Sequence, residues 1–105
     1  MIARKSASRC EHRLTVIGTK SDVQRFQNSR WEKIMRVLYL DPLELSPRRF
    51  VCQFETFGHD LKPLQRLSRS HPGVVLLLDF ELMQSRVKGL AKAQAGELEH
   101  CEIPY

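Results

Sequence analysis

The chain has 105 residues and a mass of 12.2 kDa, room for one domain and little more. Hydrophobic residues make up 42% and charged residues 28%, a balance suited to a packed core rather than a disordered chain. The longest apolar run is Val74 to Leu78, too short to span a bilayer as a helix, and the formal charge of +5 admits a polyanionic partner without demanding one.

That charge is unevenly spread. Through Cys52, eleven Lys and Arg stand against five Asp and Glu, a surplus of +6; from Gln53 onward six stand against seven, a balance of −1. Glu97, Glu99 and Glu102 lie near the C-terminus with no Lys or Arg among them. The start, Met-Ile-Ala-Arg-Lys-Ser, is basic and has no apolar h-region, so a cytoplasmic setting is expected. The three cysteines, Cys10, Cys52 and Cys101, are then expected to stay reduced. Residues 1–10, with Arg4, Lys5 and Arg9, are expected to form a flexible basic tail, and residues 11–105 a single domain.

Glu11 to Ile17 predicts a first strand, with Leu14 and Val16 on one face and Arg13 and Thr15 on the other, ended by Gly18. Ser21 and Gln24 read as an S-x-x-Q capping box opening a helix that buries Val23, Phe26 and Trp31. Trp31, Ile34, Met35 and Leu38 keep helical spacing, but residues 35–40 are also β-prone, and a second strand is expected from about residue 35. Arg49 to Phe57 is the clearest strand, Phe50, Cys52 and Phe54 alternating with Val51, Gln53 and Glu55. Asp60 caps a helix through Ser70, with Leu61, Leu64 and Leu67 inward, until Pro72-Gly73 stops it. Val74 to Met83 predicts another strong strand, buried on both faces at its start and alternating later. Residues 87–94 suit a helix by propensity, or a strand turning at Ala95-Gly96 into Glu97 to Ile103. The order through residue 83 is β-α-β-β-α-β. It predicts an α+β, ferredoxin-like split β-α-β with an antiparallel sheet and two helices, which a C-terminal hairpin would widen.

Three groups of strings stand out in that order. They are His12-Arg-Leu-Thr-Val-Ile-Gly18 leading into Ser21-Asp-Val-Gln-Arg-Phe26; Phe54-Glu-Thr-Phe-Gly-His-Asp60 before a Leu-rich helix; and His71-Pro-Gly-Val-Val-Leu-Leu-Leu78 with Phe80. Together they resemble the YubB-like ferredoxin-like family of plasmids, phages and integrated elements. Met83-Gln-Ser-Arg-Val-Lys-Gly89 and Gly96-Glu-Leu-Glu99 stand where that family carries a Gly/aromatic stretch and an acidic hairpin. The resemblance implies a fold and a mobile-element setting, and it offers no catalytic residues.

Motifs for chemistry are sparse. Cys10, His12, His100 and Cys101 would supply Zn²⁺ ligands if the first and last segments paired, but His100 and Cys101 would point to opposite faces, and no C-x-x-C is present. Cys52, between Phe50 and Phe54, reads as an inert buried thiol. His59-Asp60 is accounted for by the helix cap, and no phosphate loop, G-x-S-x-G elbow or H-E-x-x-H occurs. No metal, cofactor or catalytic residue is expected, and the chain is expected not to be an enzyme.

Binding is what remains. With Phe50 and Phe54 inward, the open sheet face carries Arg13, Thr15, Ile17, Val51, Gln53 and Glu55, without the aromatics on which RNA-reading sheets stack bases. Ile17, Val51, Val75 and Leu77 put four aliphatics there that need a cover: the C-terminal segment, a second copy in a homodimer, or a partner. Lys62, Arg66 and Arg69 recur at i, i+4 and i+7 as an exposed helical stripe. The leading expectation is a small non-enzymatic accessory protein of a mobile element that binds a host macromolecular complex, a host-defence complex being one such target. The alternative is a nucleic-acid-binding protein using the basic N-terminal half and the helix stripe. A membrane partner is not expected.

Overall fold

The computed structural model describes residues 9–105. Among them the elements run β1 (Arg9–Ile17), α1 (Lys20–Gln27), α2 (Trp31–Met35), β2 (Leu40–Ser46) and β3 (Arg49–Phe57), then α3 (Lys62–Ser70), β4 (Val75–Leu82), β5 (Val87–Gln94) and β6 (Glu97–Pro104). The fold is α+β: six strands form one antiparallel sheet in the order β2-β3-β1-β4-β5-β6, and the helices bury their apolar sides on one of its faces.

The register of β1 places everything else. It is paired on both sides, with Arg13 opposite Gln53 of β3 and Asp79 of β4, and Leu14 opposite Cys52 and Leu78. Successive strand residues point to opposite faces, so one phase is shared across the sheet. Cys10, His12, Leu14 and Val16 turn toward the helices and are buried, as are Phe50, Cys52 and Phe54 of β3 and Leu76, Leu78 and Phe80 of β4. Against them α1 lays Val23 and Phe26, α2 lays Trp31 and Met35, and α3 lays Leu64 and Leu67. Trp31 is the hinge of this layer, its ring 5.6 Å from Phe26, 6.0 Å from Phe50 and 5.8 Å from Phe54.

The structure departs from the sequence reading at several points, each with a local cause. Residues 1–8 of the expected tail lie outside the described residues, whereas Arg9 and Cys10 open β1, and Cys10 is fully buried between Thr56 and Leu82. The cap of α1 is Thr19 rather than Ser21: its hydroxyl accepts from the Asp22 amide at 3.2 Å and donates to the Asp22 carboxylate at 2.8 Å. The strand expected from about residue 35 begins only at Leu40, and residues 31–35 are helix. Helical spacing carries both Trp31 and Met35 into the core, and that burial overrides the β-prone composition. Arg36, in the left-handed region at φ 59°, then ends the turn. The helix count is therefore three rather than two among the described residues.

At the start of β4 only one face is buried: Leu76 is inaccessible while Leu77 is exposed. Residues 87–94 form a strand despite their helical propensity. Ala91 and Ala93 alternate into the core, and Ala95 at φ 52° with Gly96 at φ 87° supplies the two positive φ values of a tight hairpin turn. Gly89 is required where it stands, since a Cβ there would run into the Phe80 ring on the neighbouring strand. The C-terminal segment thus widens the sheet instead of covering its open face. No helix among the described residues is long and apolar enough to cross a membrane.

Phe50→Ala and Phe54→Ala should each destabilise the fold by about 3–5 kcal/mol in denaturant titrations, because each removes a ring packed against Trp31. A loss below about 1 kcal/mol at both would reverse the assignment of the sheet faces.

Candidate functional site

The sheet face away from the helices is organised in rows set by the strand register. One row runs Glu55, Glu11, Glu81, Lys88 and Ile103 from β3 to β6; the next runs Asp41, Gln53, Arg13, Asp79, Leu90 and Cys101 from β2 to β6. A third runs Glu44, Val51, Thr15, Leu77, Lys92 and Glu99. The first two rows line a trough of about 710 Å³, which reaches Tyr39 at the β2 side and Leu90 and Ile103 on β5 and β6. A second hollow of about 500 Å³ lies beside it over Leu77, Lys92 and Glu99.

Three carboxylates side by side, Glu55, Glu11 and Glu81, repel one another unless cations or donors intervene. Arg9 does so at Glu55, at 2.7 Å, with its guanidinium 5.5 Å from the ring centroids of both Tyr39 and Phe57. The Tyr105 hydroxyl donates to Glu81, and that hydrogen bond pushes the Tyr105 pKa up. The helical layer has the opposite character. Lys20, Arg25, Lys33, Lys62, Arg66 and Arg69 are all exposed there, against Asp22, Glu32 and Asp60. A basic helical layer and a carboxylate-rich trough therefore face opposite ways.

The residues singled out from the sequence do not form one site. Lys62, Arg66 and Arg69 lie on the outer side of α3, and Arg69 packs its stem against Gly96 at the β5–β6 turn. Arg13 sits at the middle of the open face. Ile17 and Leu77 are exposed toward one end of that face, with Val75 half-buried beside Ile17; Val51 shares the face but is buried among its neighbours. Sequence reading missed Glu11, Asp79, Glu81, Leu90 and Ile103. They line the same trough only because β1 pairs with both β3 and β4 and because β5 and β6 extend the sheet, pairings that no local pattern announces.

Two histidines lie under the other face. His12 is buried and stacks on Phe54 at 4.8 Å, while His59 stacks on Phe80 at 4.0 Å and approaches Glu102 at 3.6 Å. The Thr56 hydroxyl donates to the Gly58 carbonyl, so its oxygen accepts from His12 Nε2, which fixes the neutral Nε2–H tautomer. Burial, with the nearby His59, holds the His12 imidazole down to about 4; burial also lowers His59, against the pull of Glu102. Cys10 and Cys52 are likewise buried, and loss of solvent pushes their thiols up to about 11 and about 12, away from the thiolate that a nucleophile needs. Cys101 points to the open face, away from Cys10 and His12, and no three His, Cys, Asp or Glu among the described residues are gathered to hold a metal ion.

No known family, curated protein or solved structure matches the chain.

The depressed His12 value makes stability depend on pH in a definite direction. The unfolded imidazole binds a proton near 6.5 and the folded one near 4, so the stabilisation is complete above about pH 6.5 and lost as pH falls toward 4. Between pH 7.5 and pH 4.5 the wild type should lose about 2–3 kcal/mol more than His12→Phe, measured by urea titration at each pH. Parallel losses in the two proteins would mean that His12 does not titrate with folding.

Proposed function

We propose that this chain is a non-catalytic binding protein of ferredoxin-like architecture that holds a protein partner on its open sheet face. The observation that carries the reading is the composition of that face. A solvated antiparallel face is ordinarily polar throughout. This one sets Ile17, Leu77, Leu90 and Ile103, all exposed, among its charges and hollows into a trough. Apolar anchors among mixed charges are what protein interfaces present. The carboxylate row Glu55, Glu11 and Glu81 disfavours a polyanion there. The strand order β4-β1-β3-β2, with helices on one face, supports the ferredoxin-like reading. The resemblance to YubB-like proteins supports a mobile-element setting, and with it a host complex as the partner, a host-defence complex among the candidates.

One observation favours a second reading. The helical layer is basic and faces away from the trough, so a nucleic acid would dock there through Lys62, Arg66 and Arg69.

Capture from a host lysate by three proteins separates the two. The wild type should retain a partner that Leu77→Asp/Leu90→Asp loses by at least about tenfold, because two charges then sit unpaired in a desolvated contact. The triple reversal Lys62→Glu/Arg66→Glu/Arg69→Glu should keep that partner and change stability by no more than about 1–2 kcal/mol, as exposed charges do. Steeply salt-dependent DNA or RNA binding by the wild type, abolished in the triple reversal and intact in the sheet-face variant, would replace the first reading with the second.

A further inference from the structure

The edge strand β2 is one of two unprotected edges of the sheet, for neither β2 nor β6 buries any residue. It reads Leu-Asp-Pro-Leu-Glu-Leu-Ser, and none of its residues is buried. Leu40, Leu43 and Leu45 are exposed, and the same edge continues through Ile34 of α2 and through Leu38 and Tyr39 just before the strand. These six side chains are 36% to 66% exposed. Edge strands ordinarily blunt themselves with charge. Here the charges, Asp41 and Glu44, lie in rows of the open face, while Leu40 and Leu45 lie in the rows of the buried Phe54 and Phe50. The apolar layer of the core therefore runs on past the edge of the sheet.

We propose that this edge is where a second copy of the chain docks, as a two-fold pair. Area decides for it. The six side chains leave bare the surface of about three fully exposed large residues, roughly 500 Å² at about 150–200 Å² each. A standard interface takes about 800 Å² from each partner, of which about 56–65% is non-polar, or about 450–520 Å². The β2 edge supplies that amount, and a two-fold contact sets the same edge on both sides. A two-fold axis normal to the sheet also runs β2 antiparallel to its copy, the sense of every neighbouring pair already in the sheet. Pro42 and the register shift between Pro42 and Glu44 interrupt the backbone ladder, so the leucines carry the contact. Glu44 lies 3.8 Å from Arg49 of its own chain, which tempers its repulsion across the axis. Such a pair places the copy beside the β2 end of the trough, where Tyr39 and Asp41 lie, and leaves the part over β1, β4 and β5 open.

Sedimentation over a range of concentrations tests this. The wild-type mass should rise from 12.2 kDa toward twice that value between about 1 and 100 μM. Leu45→Glu should weaken the association by at least about tenfold with the circular dichroism spectrum and melting temperature kept, and Leu43→Glu should do the same should Leu45→Glu fold poorly. Leu90→Glu, on the open face, should leave it unchanged. A wild type that stays monomeric throughout overturns the proposal, also when the edge variants lose a lysate protein, which assigns the edge to a different partner. Dimers that survive both edge variants, or that Leu90→Glu dissolves, overturn it as well.

Discussion

The fold depends on the phase of one strand. β1 is hydrogen-bonded on both sides along nearly its whole length, so the choice of which of its residues face the helices is imposed on β3 and β4, and through β4 on β5 and β6. A slip of one residue would turn Glu11 and Arg13 into the core and set Leu14 and Val16 in water. The cost of burying those charges without partners fixes the register more firmly than any turn does. Once it is fixed, the rows of the open face follow without further choice.

The same phase accounts for the buried histidines. His12 takes a core position in β1, where its ring fills space beside Phe54 and its one donor is satisfied by Thr56 on the paired strand. A neutral imidazole can do this and a charged one cannot. His59 repeats the arrangement on Phe80, and Gly89 leaves room for the Phe80 ring on the next strand. Phe54, His12, Phe80 and Gly89 thus occupy one row of the helix-facing side, and the trough lies directly behind it. Core packing on one face and the position of the candidate site on the other are two consequences of one pairing.

Strong alternation was readable where it occurs. Arg49–Phe57 shows it at every position but Val51, which is buried on the open face, and the inward set Phe50, Cys52 and Phe54 is buried as its spacing demands. The stripe Lys62, Arg66 and Arg69 is exposed for the same kind of reason, a helical period in a short, well-bounded segment. Residues 31–40 read both ways, because helical spacing and β-prone composition overlap there, and two of the rings that hold Trp31 in the core, Phe50 and Phe54, lie far along the chain. Residues 87–94 were ambiguous because alanines serve a helix and a crowded sheet position equally well; the Phe80 ring over Gly89 decides the matter, and it belongs to another strand. The candidate site was only half legible. Arg13, Ile17 and Leu77 follow from alternation within one strand, whereas the carboxylate row needs three strands in register, and the apolar edge at β2 depends on which strand ends the sheet.

One sheet face is sealed by the helices while the other is open, and the three cysteines report on both. Cys10 and Cys52 are fully buried on the sealed side, and Cys101 is exposed on the open side. Brief treatment of the native protein with a small thiol reagent at about pH 8, followed by intact-mass measurement and peptide mapping, counts them directly. One adduct per chain, at Cys101, with three only in denaturant, is the expected result. Native adducts at Cys10 or Cys52 as fast as at Cys101 would contradict the sealed face, and native protection of Cys101 would contradict the open one.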